Sequence, residues 1–209
     1  MTITSKCAAL KPGDRLVDDQ LFIALQRAVA WLEEHDYQYA VIGGIANQRW
    51  GVSRLTHDVD IKVLVPDLDY ATIRTALRAD FAERGRPHVP LNPLVVDVVI
   101  DGATVDFLLA IPGYDEQVVT RAVQHKLDDL SIWLCLPEDL IVQKVVAGRP
   151  KDWIDIEGIL VEQHGKLDLD YLEDWLAQFA EFLERPEILA QYQKIQERIS
   201  EALAKLDEE

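Results

Sequence analysis

The chain of 209 residues is 49% apolar and carries 37 acids against 21 lysines and arginines, a net charge of −16. Such a length buries one core, or one core with a smaller helical annex. The charge excludes a broad basic footprint for a phosphate backbone, so any nucleic-acid contact would be local; it suits divalent cations, cationic small molecules, or simply a solvated acidic surface.

Cys7 and Cys135 have no spacing partners, which excludes a disulfide framework or a zinc knuckle. No basic region followed by an apolar stretch opens the chain, and no segment approaches about 18 uninterrupted apolar residues. A soluble, cytoplasmic protein without a membrane partner is expected.

"DDQLFIALQRAVAWLEEHD" reads as a helix capped by Asp18 or Asp19, with Leu21, Leu25, Ala28, Val29 and Leu32 at helical spacing. "YQYAVIGG" is a short strand ending at Gly43 and Gly44, and "IANQRWG" a short helix. Thr56 to Val65 is a strand whose positions Val59, Ile61, Val63 and Val65 are β-branched, which turns Asp58, Asp60 and Lys62 to the other face. A helix-like segment between Pro66 and Arg84 offers Leu68, Ile73, Leu77 and Phe81 to the core. "LVVDVVI" and "ATVDFLLA" then flank Asp101-Gly102, the strongest short hairpin signal in the chain.

Near Gln117 to Leu136 the pattern shifts from strand-like to helix-like, which divides the chain into 1–116 and 117–209. Pro137 suits a first helical turn, and two further helices are expected at about 170–183 and 186–206. The last carries Ile188, Tyr192, Ile195, Ile199, Ala202 and Leu206 in a seam that can dock on the core or pair with a second copy as a homodimer. The five tryptophans, Trp31, Trp50, Trp133, Trp153 and Trp175, read as core anchors. His57 reads as packing or surface, and the dispersed His35, His88, His125 and His164 do not read as metal ligands.

Alternate strand residues point the same way, so Asp58 and Asp60 stand side by side, and Asp106 joins them if its strand is a neighbour. At about 4 Å and an effective dielectric of about 20, each like-charge pair costs about 4 kcal/mol. A cation or a proton must therefore lie between them. Two Mg²⁺ ions would clamp the attacking and leaving oxygens of a phosphoryl displacement, with Asp58 and Asp60 as metal ligands. Asp106 would bind one ion and help deprotonate the acceptor hydroxyl. The glycine pair would let the backbone approach triphosphate oxygens. Alone, Gly-Gly is a tight turn and Asp-x-Asp a surface strand; separated by the thirteen residues Ile45 to His57 and followed by Val-Asp-Phe, they form a more specific pattern.

Val41 to Val65 resembles the motif of the nucleotidyltransferase superfamily. "RLTHDVDI", with Arg54, Thr56, Asp58 and Asp60, and "LIVQKVVAGRPKDWIDI", with Lys144, Arg149, Lys151, Asp152 and Asp155, are similar to motifs of the AbiEii-like toxin nucleotidyltransferases of type IV toxin–antitoxin systems. The resemblance implies an α/β fold: a mixed β-sheet flanked by helices, a catalytic core over 1–116, and a C-terminal helical subdomain over 117–209. It implies a nucleoside triphosphate donor, Mg²⁺, and transfer of a nucleotide to a hydroxyl of tRNA or a protein, with an antitoxin as partner; a small cationic acceptor of the aminoglycoside type is the alternative. A partner-binding module without turnover is a further one. Gly44 departs from the serine of many superfamily members. Lys144 offsets triphosphate charge or lies on a helix surface; Arg149 grips phosphate or pairs with Asp152 or Asp155; Arg54 touches phosphate or neutralises the Asp-x-Asp acids. Asp152 and Asp155 would orient the basic residues or a metal.

Overall fold

The computed structural model describes residues 18–84 and 92–207; Cys7, His88 and the Leu206 side chain lie outside the described residues. Asp18 caps helix α1 (Asp19–Glu34), its carboxylate accepting from the Leu21 N–H at 2.7 Å. The predicted apolar stripe of α1 is buried against the sheet. Strand β1 (Tyr39–Val41) leads into helix α2 (Gly43–Trp50) and strand β2 (Asp58–Val63). Val59, Ile61, Val63 and Val65 are all buried.

The segment after β2 differs from its expected single helix. A 3-10 turn over Pro66–Leu68 places Asp67 and Leu68 at positive φ, and Leu68 is exposed rather than core. Asp69 then caps α3 (Tyr70–Asp80), whose Ile73 and Leu77 are buried. Strand β3 (Ala82–Glu83) precedes the hairpin of β4 (Val95–Ile100) and β5 (Ala103–Leu109), where Asp101 and Gly102 both take positive φ as a tight hairpin turn requires.

Helix α4 (Tyr114–Thr120) is followed by two strands the pattern did not signal, β6 (Val123–Leu127) and β7 (Leu130–Leu134). Asp128 at positive φ turns this hairpin, where no Asn-Gly or Asp-Gly marks it, and Trp133 on β7 is exposed instead of anchoring a core. Helices α5 (Pro137–Ala147), α6 (Pro150–Glu162), α7 (Leu169–Phe182) and α8 (Pro186–Asp207) complete the chain. Ile188, Tyr192, Ile195 and Ile199 are buried within the chain, so this part of the α8 seam docks on its own core; Ala202 is exposed.

Among the described residues the sheet has seven strands in the order β3-β4-β5-β2-β1-β7-β6. It is mixed: β2 runs parallel to β5 and antiparallel to β1, and β1 runs parallel to β7. Thus β6 and β7, from beyond residue 116, extend the same sheet as β1 to β5. One face carries Val59, Ile61, Val105 and Phe107 and packs on α1 and α3; Trp31 and Phe81 meet Phe107 with centroids 6.4 Å away. The opposite face carries Asp58, Asp60 and Lys62 and receives α2 and α4. Phe107→Ala would empty the centre of the aromatic cluster and is expected to destabilise the fold by about 3–5 kcal/mol, read from chemical denaturation midpoints.

Candidate active site

Strand geometry brings the acids together. Within the parallel pair β2 and β5, Asp60 lies directly opposite Asp106, and Asp58 opposite Thr104. The next strand adds a carboxylate absent from the sequence reading: Asp97 on β4 lies opposite Asp106. Its signal was an aspartate inside "LVVDVVI", the pattern that singled out Asp58 and Asp60. Burial, together with the like charges of Asp58 and Asp106, pushes the Asp60 carboxyl up to about 6, while Arg149 and Lys144 oppose the rise. The acids thus stand within one another's fields.

The two glycines sit against this row for steric reasons. Gly43 has φ +64°, and a Cβ there would overlap the Asp60 carboxylate. A Cβ on Gly44 would overlap the Thr56 hydroxyl and lie 2.6 Å from Thr56 Cβ. Buried Thr56 therefore occupies the space that a serine at position 44 would need, which gives the departure at Gly44 a physical reason. The Thr56 hydroxyl donates to Asp58 Oδ1 at 3.0 Å. It fixes that carboxylate and places a hydroxyl beside the start of α2.

Asp152 and Asp155, one helical turn apart on α6, organise the basic groups. Arg54 forks onto Asp155, with Nε 2.7 Å from Oδ1 and Nη2 2.8 Å from Oδ2. Its partner is this helix rather than the Asp-x-Asp acids, because α6 brings a carboxylate within bidentate reach. Lys144 is buried rather than on a helix surface; its Nζ lies 2.5 Å from Asp155 Oδ2 and 3.9 Å from Asp152 Oδ1. Arg149 forks onto Asp152 at 2.6 and 3.1 Å, and Asp152 also accepts the Arg149 backbone N–H at 3.2 Å where α6 begins. Burial would raise the Asp155 carboxyl, but the hydrogen bonds from Arg54 and Lys144 outweigh it and hold the group below its ordinary value. Three cations face two anions, and Arg149 and Lys144 act electrostatically on Asp60 as well.

This arrangement fits a hard divalent cation: the available donors are carboxylate and hydroxyl oxygens, without nitrogen or sulfur. Among the described residues, no three acidic, His or Cys side chains close into a preformed cage. His57 is exposed, and Cys135 is a buried thiol held well above its ordinary pKa by burial. Trp50 donates from its indole to the Cys135 carbonyl at 2.8 Å and ties α2 to the end of β7. No helix among the described residues is long and apolar enough to cross a membrane.

Known proteins give a consistent family and distant folds. No curated protein matches the chain. Solved structures that resemble it include an antigenic nucleotidyltransferase-like protein from Paracoccidioides brasiliensis, 20% identical, covering 84% of this chain and 93% of that one with a TM-score of 0.48. Others are the antibiotic-resistance factor ANT(2'')-Ia in solution, 11% identical over 88% of this chain and 94% of that one with a TM-score of 0.43, and the crystal structure of ANT(2'')-Ia with adenylyl-2''-tobramycin, 12% identical over 87% and 99% with a TM-score of 0.43. The model of a family described as "Nucleotidyltransferase of unknown function (DUF6036)" matches residues 19–202. The chain belongs to this nucleotidyltransferase family.

Proposed function

We propose that the protein transfers a nucleoside monophosphate from a nucleoside triphosphate to a hydroxyl in an Mg²⁺-dependent reaction. The observation that carries this reading is the register of Asp60 against Asp106, with Asp58 on the same face and Gly43 beside the Asp60 carboxylate. Asp58, Asp60 and Asp106 are the metal-holding residues of this proposal; bound Mg²⁺ would offset their repulsion and neutralise charge on the triphosphate. Gly43 and Gly44 let backbone approach the phosphates, and Thr56 offers the nearby hydroxyl. Lys144 and Arg149 supply positive charge, Arg54 stiffens the Asp155 anchor it shares with Lys144, and Asp152 and Asp155 hold all three in place. Asp106 takes the proton as the acceptor oxygen bonds to the α-phosphorus, the α–β phosphate bond breaks, and pyrophosphate leaves toward the basic groups.

The acceptor divides the finer readings. An RNA or protein hydroxyl, with a toxin role and an antitoxin partner, rests on the Arg54-x-Thr56-x-Asp58-x-Asp60 motif and the Lys144 to Asp155 segment. A small cationic acceptor is favoured by the net charge of −16 and the carboxylate row.

Calorimetric titration of ATP, GTP, CTP and UTP with Mg²⁺ tests the reaction class: one nucleotide is expected to bind, and Asp58→Ala with Asp60→Ala to abolish it. No binding by any nucleotide to folded protein would sink the proposal and favour a partner-binding module. Gly44→Ser drives a side chain into Thr56 and is expected to cost about 1–3 kcal/mol of stability and to weaken nucleotide binding, by thermal melts and the same titration.

The Asp60 carboxyl carries its proton up to about pH 6. Because ligation needs the carboxylate, Mg²⁺-dependent nucleotide affinity is expected to rise through that pH and level off above it. Stability runs oppositely: a carboxyl whose folded pKa of about 6 lies above the ordinary 3.8 contributes stability fully present below 3.8 and lost as pH rises through about 6. Asp60→Asn should therefore melt above the wild type in Mg²⁺-free buffer at about pH 7.5 and lose that advantage near pH 4. Equal melting points at both values would contradict the assigned burial cost.

A further inference from the structure

Residues 51–57 join α2 to β2 with no helix or strand of their own. They carry Arg54 and Thr56, so the candidate site depends on a stretch whose course no sheet ladder sets. Side-chain carboxamides take alternate carbonyls there instead. Gln163, the C-cap of α6, donates to the Trp50 carbonyl at 2.9 Å, Asn47 to that of Val52 at 3.0 Å, and Gln48 to that of Arg54 at 3.1 Å. Asn47 is fully buried. The stretch also lies hard against α6: a Cβ on Gly158 would stand 3.1 Å from the Val52 nitrogen, and one on Gly51 3.2 Å from the Ile159 nitrogen.

We propose that Gln48 is a positioning residue for nucleotide binding that acts through Arg54 and Thr56. The assignment rests on the nucleotide site proposed above. Gln48 follows Gly44 by four positions on α2, so the two share a helix face one turn apart. That face meets the stretch at two points. Thr56 packs where a Cβ on Gly44 would stand, and the Gln48 carboxamide holds the carbonyl of Arg54, two residues earlier. With both contacts made, α2 sets the path of the chain from Arg54 to Thr56. What depends on that path is exacting in geometry: the fork of Arg54 onto Asp155 at 2.7 and 2.8 Å, and the Thr56 hydroxyl 3.0 Å from Asp58 Oδ1. Hydrogen bonds weaken steeply with misalignment, so a backbone shift of about 1 Å undoes such a fork. Helix α2 thereby serves the nucleotide at both ends, with glycines that admit backbone to the phosphates and a glutamine that seats the residues beside them. Asn47 and Gln163 hold the approach to Arg54 from either side.

The test is Gln48→Met, which keeps the side chain's length and removes its amide, with Gln48→Glu as a second variant that stays polar but offers no donor at neutral pH. Without nucleotide, amide hydrogen exchange is expected to quicken over residues 52–57 and to stay as in the wild type in α1 and α7. Exchange that quickens throughout the chain, or does not change over 52–57, would overturn the proposal. With Mg²⁺ and the nucleotide that the wild type binds, affinity should fall by about three- to tenfold. In an Arg54→Lys background, where the fork is already lost, Gln48→Met should cost about twofold or less. An equal cost in both backgrounds would make Gln48 a prop of the fold rather than a positioning residue. Titration of the wild type separates the two readings. A wild type that binds no nucleotide sinks the transfer reaction and this role with it; nucleotide binding that neither Gln48 variant weakens sinks only the positioning role.

Discussion

Mutual repulsion among carboxylates on one face of a sheet is the constraint around which the rest of the molecule is arranged. Asp58 and Asp60 share a face because they are two residues apart on a strand, and parallel pairing with β5 sets Asp106 directly opposite Asp60. Burial first, and this repulsion after it, push the Asp60 carboxyl up to about 6, and Arg149 and Lys144 offset part of the rise. A fold that holds such a row gives up stability at Asp60 above about pH 6.

The basic groups need restraint of their own, since Lys and Arg side chains lose several rotamers when fixed. Asp152 and Asp155 supply it from a single helical face, gripping Arg149 on one side and Arg54 with Lys144 on the other. These anchors are buried, and α6 is held in place by its contacts with α5 and α8. The C-terminal helices thus contribute directly to the charge balance of the proposed site. Docking of Ile188, Tyr192, Ile195 and Ile199 has a consequence some distance from α8 itself.

Close approach governs the glycine turn as much as backbone freedom does. Gly43 makes room for a carboxylate, and Gly44 makes room for the threonine that hydrogen-bonds the neighbouring carboxylate. The hydroxyl that a serine would bring on α2 is supplied from the chain segment just before β2.

Local periodicity was enough to determine the acids' shared face, the buried face of β2, the stripe of α1 and the Asp101-Gly102 hairpin, because each depends on residues a few positions apart; of the two caps the sequence offered for α1, Asp18 and Asp19, the structure uses Asp18. Asp97 was equally visible in its apolar run, but its value came from pairing with Asp106 across two strands. Only the tertiary structure decided that Arg54 pairs with Asp155, a residue 101 positions away, that β6 and β7 join the sheet, and that Leu68 and Trp133 face outward. The carboxamides that hold alternate carbonyls before β2 likewise come from α2 and α6, which no periodicity relates. Strand and helix periods fix which way a side chain points; what it meets there depends on how distant segments pack, and that is settled by the burial of the whole chain.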